Sequence, residues 1–336
     1  MGKKEAKVLI LWLSVFIIML SLLIAFPMLI GYVTHEGQQN IVNLTSCQDL
    51  TTSNATYYLQ NDVSASGTCF NIMADNIILD GQGYIVNYST AVQGHGINTS
   101  GRFSYGQGNA NPAGRYKNLT IKNFKIIQNS SSGSGIRNAF AIFLFNTERT
   151  EIINNEINSY SGLFITKTND SIISDNKIVS NNASGLATNL LKHSSVKNND
   201  ITTNGDSNFN QGILLFYFST NNTIINNKIS TNGGQTNIGI KLEYDVSNNT
   251  IKENRITTNG KSAYNSGIDL NGRNNGNFII NNIISTNGTN NNYGYYSSDS
   301  VNNFISGNDF STNGNTTNYG IFTYDSTGCK RMTYSV

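Results

Sequence analysis

Charge is scarce in this chain. Only 12% of its 336 residues are Asp, Glu, Lys or Arg, and the net charge is +2. Nucleic-acid binding wants a basic stripe, so no nucleic-acid partner is expected. Histidine is sparser still, and His35, His95 and His193 share no ligand-like spacing. With no acidic cluster to hold a hard cation either, no metal and no cofactor are expected. Also missing from the body of the chain is any run of ten or more residues with a 3.6-residue apolar period. That excludes helical and leucine-rich repeats.

What is present is asparagine, 55 residues of it. Such a composition suggests a polar tract until its register is seen. An aliphatic, two residues, Asn, one residue and an aliphatic recur as Ile152–Ile157, Ile173–Ile178, Val196–Ile201, Ile224–Ile229, Ile251–Ile256, Ile279–Ile284 and Ile305–Phe310. Fixed register argues for folded turns rather than disorder. Thr-Asn-Gly turns follow the phrase at Thr203, Thr231, Thr258, Thr286 and Thr312. Asn and Gly accept positive φ, so these are expected reversals. Gly-led strands come next, beginning at Gly212, Gly239, Gly267, Gly294 and Gly320.

Self-similarity on this scale marks a solenoid in which each repeat buries its apolar face against its neighbours. Three short strands per repeat predict an all-β, right-handed parallel β-helix. The Asn of the phrase is expected at a tight left-handed corner, hydrogen-bonded to its counterparts about 4.8 Å above and below. One ladder of Asn155, Asn176, Asn199, Asn227, Asn254, Asn282 and Asn308 results, with the flanking aliphatics facing inward.

The repeats, together with Asn76-Ile-Ile-Leu-Asp80-Gly81-Gln-Gly83-Tyr-Ile85, resemble the pectin-lyase-like superfamily of β-helices, in particular NosD-like and cell-surface repeat domains. The resemblance covers about residues 70 to 328 and is specific for fold. For activity it implies a range: lyases, hydrolases, epimerases and non-catalytic adhesins. Polygalacturonase-like members carry an Asp, an Asp-Asp pair, a Gly-His-Gly and an Arg-x-Lys. Here Gly94-His95-Gly96 stands without the rest, so the match reads as accidental. Three scattered histidines and five methionines, three of them at Met1, Met19 and Met28, lend little to a copper-delivery role.

The N-terminus carries Lys3, Lys4 and Lys7, then a mostly apolar run from Val8 to Val33. The run exceeds a signal-peptide core and is long enough to span a bilayer, with the basic flank inside. The division expected is 1–7 cytoplasmic, 8–33 a transmembrane signal anchor, 34–70 a linker and N-terminal cap, 71–328 the β-helix and 329–336 a tail. Secretion after cleavage is the alternative. Cys47 and Cys69 are expected as a disulfide closing the cap, worth on the order of 3 kcal/mol by loop entropy, or else as two thiols. Cys329 is left over, and it or the last rung would mediate any self-association. Asn-x-Ser/Thr sequons stand at Asn43, Asn54, Asn87, Asn98, Asn118, Asn129, Asn169, Asn182, Asn221, Asn248, Asn287 and Asn315, plausible N-glycosylation sites on an exported chain.

Aligning the Gly-led strands places Leu214, Lys241, Asp269, Tyr296 and Phe322 in one outward column, and Phe216, Glu243, Asn271, Ser298 and Tyr324 in the next. Asp245 and Arg273 continue the face. Lys241 is expected to pair with Asp269 and Asp245 with Arg273 across rungs. Three readings stay open: a solvated charge ladder, a glycan-binding strip with aromatic rings stacking on sugars, and a catalytic group of Lys241, Glu243, Asp269 and Arg273. No complete catalytic set is recognisable. The function expected is structural, adhesive or glycan-binding at the cell surface, with a polysaccharide-active enzyme as the alternative.

Overall fold

The computed structural model describes residues 40–99, 115–128, 139–205, 210–234, 236–261, 264–328 and 330–332. The expected segments 1–7 and 8–33, together with His35, Asn129 and Cys329, lie outside the described residues. Among the described residues no helix is long and apolar enough to cross a membrane.

Among the described residues the strands form three sheets of 12, 10 and 11, and from Gln48 onward paired strands run parallel. We number the sheets 1, 2 and 3 in the order just given, which is the order of a full turn in the middle of the solenoid. One turn runs from Thr223–Ile225 in sheet 1 to Lys228–Thr231 in sheet 2 and Asn237–Glu243 in sheet 3. It then re-enters sheet 1 at Thr250–Lys252. Among the described residues no strand pairs with its sequence neighbour, as a solenoid requires.

The aliphatics of the repeated phrase form the core. Ile152, Ile157, Ile224, Ile229, Ile251, Ile256, Ile279 and Ile284 are each at most 1% exposed. Each contributes about 1.5–3 kcal/mol of burial. In sheet 3 Ile213, Leu215, Ile240, Leu242, Ile268 and Leu270 close the third wall.

The phrase's Asn side chains run through the interior as a hydrogen-bonded ladder. Asn155 Nδ2 donates to Asn176 Oδ1 at 2.9 Å, Asn176 to Asn199 at 3.0 Å, and Asn199 to Asn227 at 2.9 Å. Asn227 donates to Asn254 and Asn254 to Asn282, both at 3.0 Å, and Asn282 to Asn308 at 2.8 Å. Each oxygen also accepts the backbone N–H of the preceding Asn, as Asn254 Oδ1 does from Asn227 at 2.9 Å.

The left-handed residue at this corner is not the ladder Asn but the one before it. Asn154, Asp175, Asn198, Asn226, Glu253, Asn281 and Gly307 all have φ between 54° and 63°. An Asn-Asn pair thus divides the work: the first residue turns the chain and the second turns its amide inward.

The Thr-Asn-Gly segments need correction too, because their glycines have no positive φ. These glycines make room instead. A Cβ on Gly260 or Gly288 would lie on the amide of Asn265, and one on Gly314 would lie on that of Asn292. These amides belong to another internal ladder, in which Asn265 donates to Asn292 at 3.1 Å and Asn292 to Asn318 at 2.9 Å. A further one, Asn222–Asn249–Asn277–Asn303, runs at 3.0 Å per step where sheet 3 returns to sheet 1.

The solenoid starts earlier than expected. Asn40–Leu44 and Gln48–Leu50 already belong to sheets 1 and 3, so most of 34–70 is rung rather than linker. Gln48 pairs with Phe70, which places Cys47 and Cys69 one above the other. They form a disulfide with Cα atoms 4.5 Å apart. At the other end Lys330–Met332, expected as tail, pairs with Phe304–Ser306 in sheet 1.

Candidate functional site

The candidate residues meet on the outer face of sheet 3. The Gly of each strand packs edge-on over the next turn: a Cβ on Gly239 would strike the Ile256 side chain, and one on Gly267 that of Ile284. That close approach fixes the register of the outward columns beyond it. Leu214 pairs with Lys241, Lys241 with Asp269, Asp269 with Tyr296, and Tyr296 with Phe322. In the adjoining column Phe216 lies beside Glu243, Glu243 beside Asn271, Asn271 beside Ser298, and Ser298 beside Tyr324.

The charges sort themselves differently from the expected pairing. Lys241 Nζ reaches Glu243 Oε1 at 2.9 Å on its own strand, the side chains being 12% and 19% exposed. Asp269, directly across from Lys241, forms no ion pair with it. Its Oδ1 is shielded from solvent and without a hydrogen-bond partner among the described residues. Burial raises the Asp269 carboxyl to about 7, the Lys241 ammonium opposing the shift and Glu243 adding to it. Arg273 and Asp245 do pair across rungs, at 2.8 Å.

Two aromatic groups flank this charged centre. On one side Phe216 packs on Tyr217, centroids 4.0 Å apart, and Tyr217 stacks on Tyr244 at 5.3 Å. On the other, Tyr296 stacks on Phe322 at 5.6 Å and 12°, and Tyr293 on Tyr319 at 6.1 Å and 5°. Burial raises the Tyr296 hydroxyl, and the Asp269 charge raises it further. Tyr324 stands exposed on the last rung.

Stacked rings occupy each other's faces, so a sugar ring does not slide between Tyr296 and Phe322 as a strip of separate platforms would allow. Phe322 stacks on one face of Tyr296, and the neighbour of Tyr296 on the other rung is Asp269, whose side chain is smaller than a ring.

Tyr217, Tyr244, Tyr264, Tyr293 and Tyr319 complete the surface and were not singled out from the sequence. A signal existed for two of them, because Tyr293-Gly294 and Tyr319-Gly320 repeat at the same place in successive turns.

The remaining histidines are not isolated. His95 stacks on Phe143 at 4.8 Å, and its Nδ1 accepts the Phe140 N–H at 3.2 Å. Burial holds its imidazole down to about 4, so the ring is neutral. Gly94 and Gly96 flank it because a Cβ on either would meet neighbouring backbone. His193 contacts Asn221 and Asp170 at the surface. Among the described residues no three His, Cys, Asp or Glu side chains gather as a metal site. Of the sequons, Asn98 is 7% exposed and donates to Asn71 at 3.1 Å, which closes it to an oligosaccharide.

A family model described as the right-handed β-helix region matches residues 113–284. The chain belongs to the right-handed β-helix family. Solved β-helices similar to it include the enzymatically active domain of tailspike protein 2 from bacteriophage CBA120. That domain is 14% identical with a TM-score of 0.58, over 85% of this chain and 43% of the tailspike chain. This β-helix thus spans less than half of that structure. A DFA-IIIase from Arthrobacter chlorophenolicus A6, in a form without its lid and in complex with GF2, is 11% identical with a TM-score of 0.56, over 87% and 94% of the two chains. The A-module of a mannuronan C-5 epimerase from Azotobacter vinelandii is 14% identical with a TM-score of 0.50, over 85% and 99%. At these identities the likeness is one of β-helix fold. No curated protein sequence matches this β-helix.

Proposed function

We propose that this chain is a cell-surface glycan-binding β-helix and that the outer face of sheet 3 is its binding strip. The observation that carries the reading is the half-buried Lys241–Glu243–Asp269 group set between two aromatic groups on one rigid face. Aromatic rings beside a few fixed polar groups are the chemistry that holds sugars. Relatives in fold named as a tailspike, a DFA-IIIase and a mannuronan epimerase support the choice of ligand class. Residues 8–33 would anchor the chain with the solenoid outside, or be removed to release it; exposed sequons such as Asn221 and Asn248 suit either location.

The test is binding of the full-length protein to a glycan array. Binding that falls about tenfold in Tyr296→Ala and in Phe322→Ala supports the strip, since aromatic contacts contribute about 0.5–1.5 kcal/mol beyond their area. Binding indifferent to both substitutions removes it.

A second reading has one specific observation behind it. A carboxyl near 7, as at Asp269, suits general acid–base work. Release of reducing or unsaturated ends from a polysaccharide, lost in Asp269→Asn, would make the chain an enzyme. Binding without turnover keeps it a lectin-like surface protein.

A further inference from the structure

The strip's charges narrow the kind of glycan it takes; this step rests on the glycan-binding reading above. Among the described residues its two cations, Lys241 and Arg273, pair at 2.9 and 2.8 Å with Glu243 and Asp245. At Asp269 an acidic sugar would have to break the Lys241 pair to find a counter-charge, leaving the largely buried Glu243 uncompensated, while the Arg273 guanidinium, 77% exposed, lies beside Asp245 instead. What the strip does offer is an acceptor. Asp269 has a solvent-shielded oxygen with no protein donor among the described residues, and Tyr296 is its neighbour on the next rung. A buried polar atom left unpaired is costly, and such an atom in a built surface calls for a partner. Rotation about the last bond of an Asp side chain is soft, so either oxygen can be presented.

We propose that the ligand is a neutral glycan, one ring of which lies over Asp269 against the face of Tyr296, with adjacent hydroxyls donating to the Asp269 carboxylate. Uronate polymers are disfavoured by the same arrangement, because their carboxylates would face Asp269 and Glu243 with Lys241 already paired. The titratable groups around Asp269 are Lys241 and Glu243 on the preceding strand, Tyr296 on the following one, and Tyr264 and Asp299, whose charges act on Tyr296.

Two donated hydroxyls favour the ionised carboxylate, the stronger acceptor on both oxygens, and burial raises the carboxyl of the free protein to about 7. Binding therefore expels a proton, and affinity rises with pH until the group is ionised. Between about pH 6 and pH 8 the ionised fraction of such a group grows about tenfold, and affinity grows with it.

Calorimetric titration of the full-length protein at both pH values decides the matter, with gluco-, manno- and galacto-oligosaccharides as neutral probes and oligogalacturonates as acidic ones. The expected result is binding of a neutral probe, about tenfold tighter at the higher pH, with a heat that varies with the buffer's ionisation enthalpy. Asp269→Asn, confirmed folded by its melting curve, should weaken binding about tenfold or more and flatten the pH profile. The wild-type pH profile stands as a test even if that variant does not fold. Preference for oligogalacturonates, tightening toward low pH, overturns the neutral-ligand inference and leaves the glycan strip intact. Asp269→Asn that binds with an unchanged profile overturns the role of Asp269. Binding of neither class at either pH, with no glycan retained on an array, sinks the glycan reading itself.

Discussion

Asp269 sets the behaviour of the molecule at the scale of one residue. Its carboxyl is raised to about 7 in the folded chain, against an ordinary value near 3.9 in an unfolded one. Between those values the folded state holds the proton more tightly, so this group stabilises the fold at low pH and that stability is lost as pH rises toward about 7. Asp269→Asn removes the dependence. The melting-temperature difference between wild type and variant should shift by about 2 °C or more between pH 4 and pH 7.5, with the wild type losing ground as pH rises. A constant difference would mean that the carboxyl is not perturbed. The column containing Asp269 was legible in the sequence because a Gly-led strand alternates strictly and rungs stack in register. The partner of Lys241 was not. Whether an ammonium turns along its own strand to Glu243 or across to Asp269 depends on side-chain conformers that no spacing encodes.

Each turn of the solenoid also has internal and external amides that look alike in the sequence. Asn254 sits in the buried ladder, while Asn259 donates to Asn232 at 2.9 Å in an exposed one. Asn254→Ala takes the acceptor from the backbone N–H of Asn227, one of three partners from its amide, and the donor from the Ile224 carbonyl, and should cost about 2–4 kcal/mol by urea unfolding. Asn259→Ala should stay within about 0.5 kcal/mol. Equal costs would show that burial does not separate the two ladders. Gly267→Ala should be as damaging as the first, because the new Cβ meets Ile284 and the Gly294 carbonyl. A fold of three parallel sheets was readable from these repeats, since period-2 apolar residues and recurring Asn admit few other arrangements. The division of labour within Asn-Asn pairs was not readable. Both residues tolerate left-handed backbone, and only the path of the chain decides which one turns.

As a whole the molecule is a one-dimensional stack, and defects should stay near where they are made. The Cys47–Cys69 disulfide joins the first rungs of sheet 3. Replacing both cysteines by serine should cost about 3 kcal/mol in the loop-entropy model. Hydrogen exchange should accelerate around Leu50, Phe70 and Ile72 and remain unchanged near Ile251 and Ile279. Uniform acceleration along the chain would instead mean a single cooperative unit. The same stacking gives the buried Asn ladder an arrow. Asn176 takes the backbone N–H and the amide of Asn155 on its oxygen and returns its own amide to the Ile152 carbonyl at 2.8 Å, and Asn199 does the same for the rung of Asn176. Each rung is therefore finished by its successor, 21 to 28 residues later. A chain leaving the ribosome N-terminus first can lock its turns one at a time, and its unsatisfied front always travels with the most recently made residues.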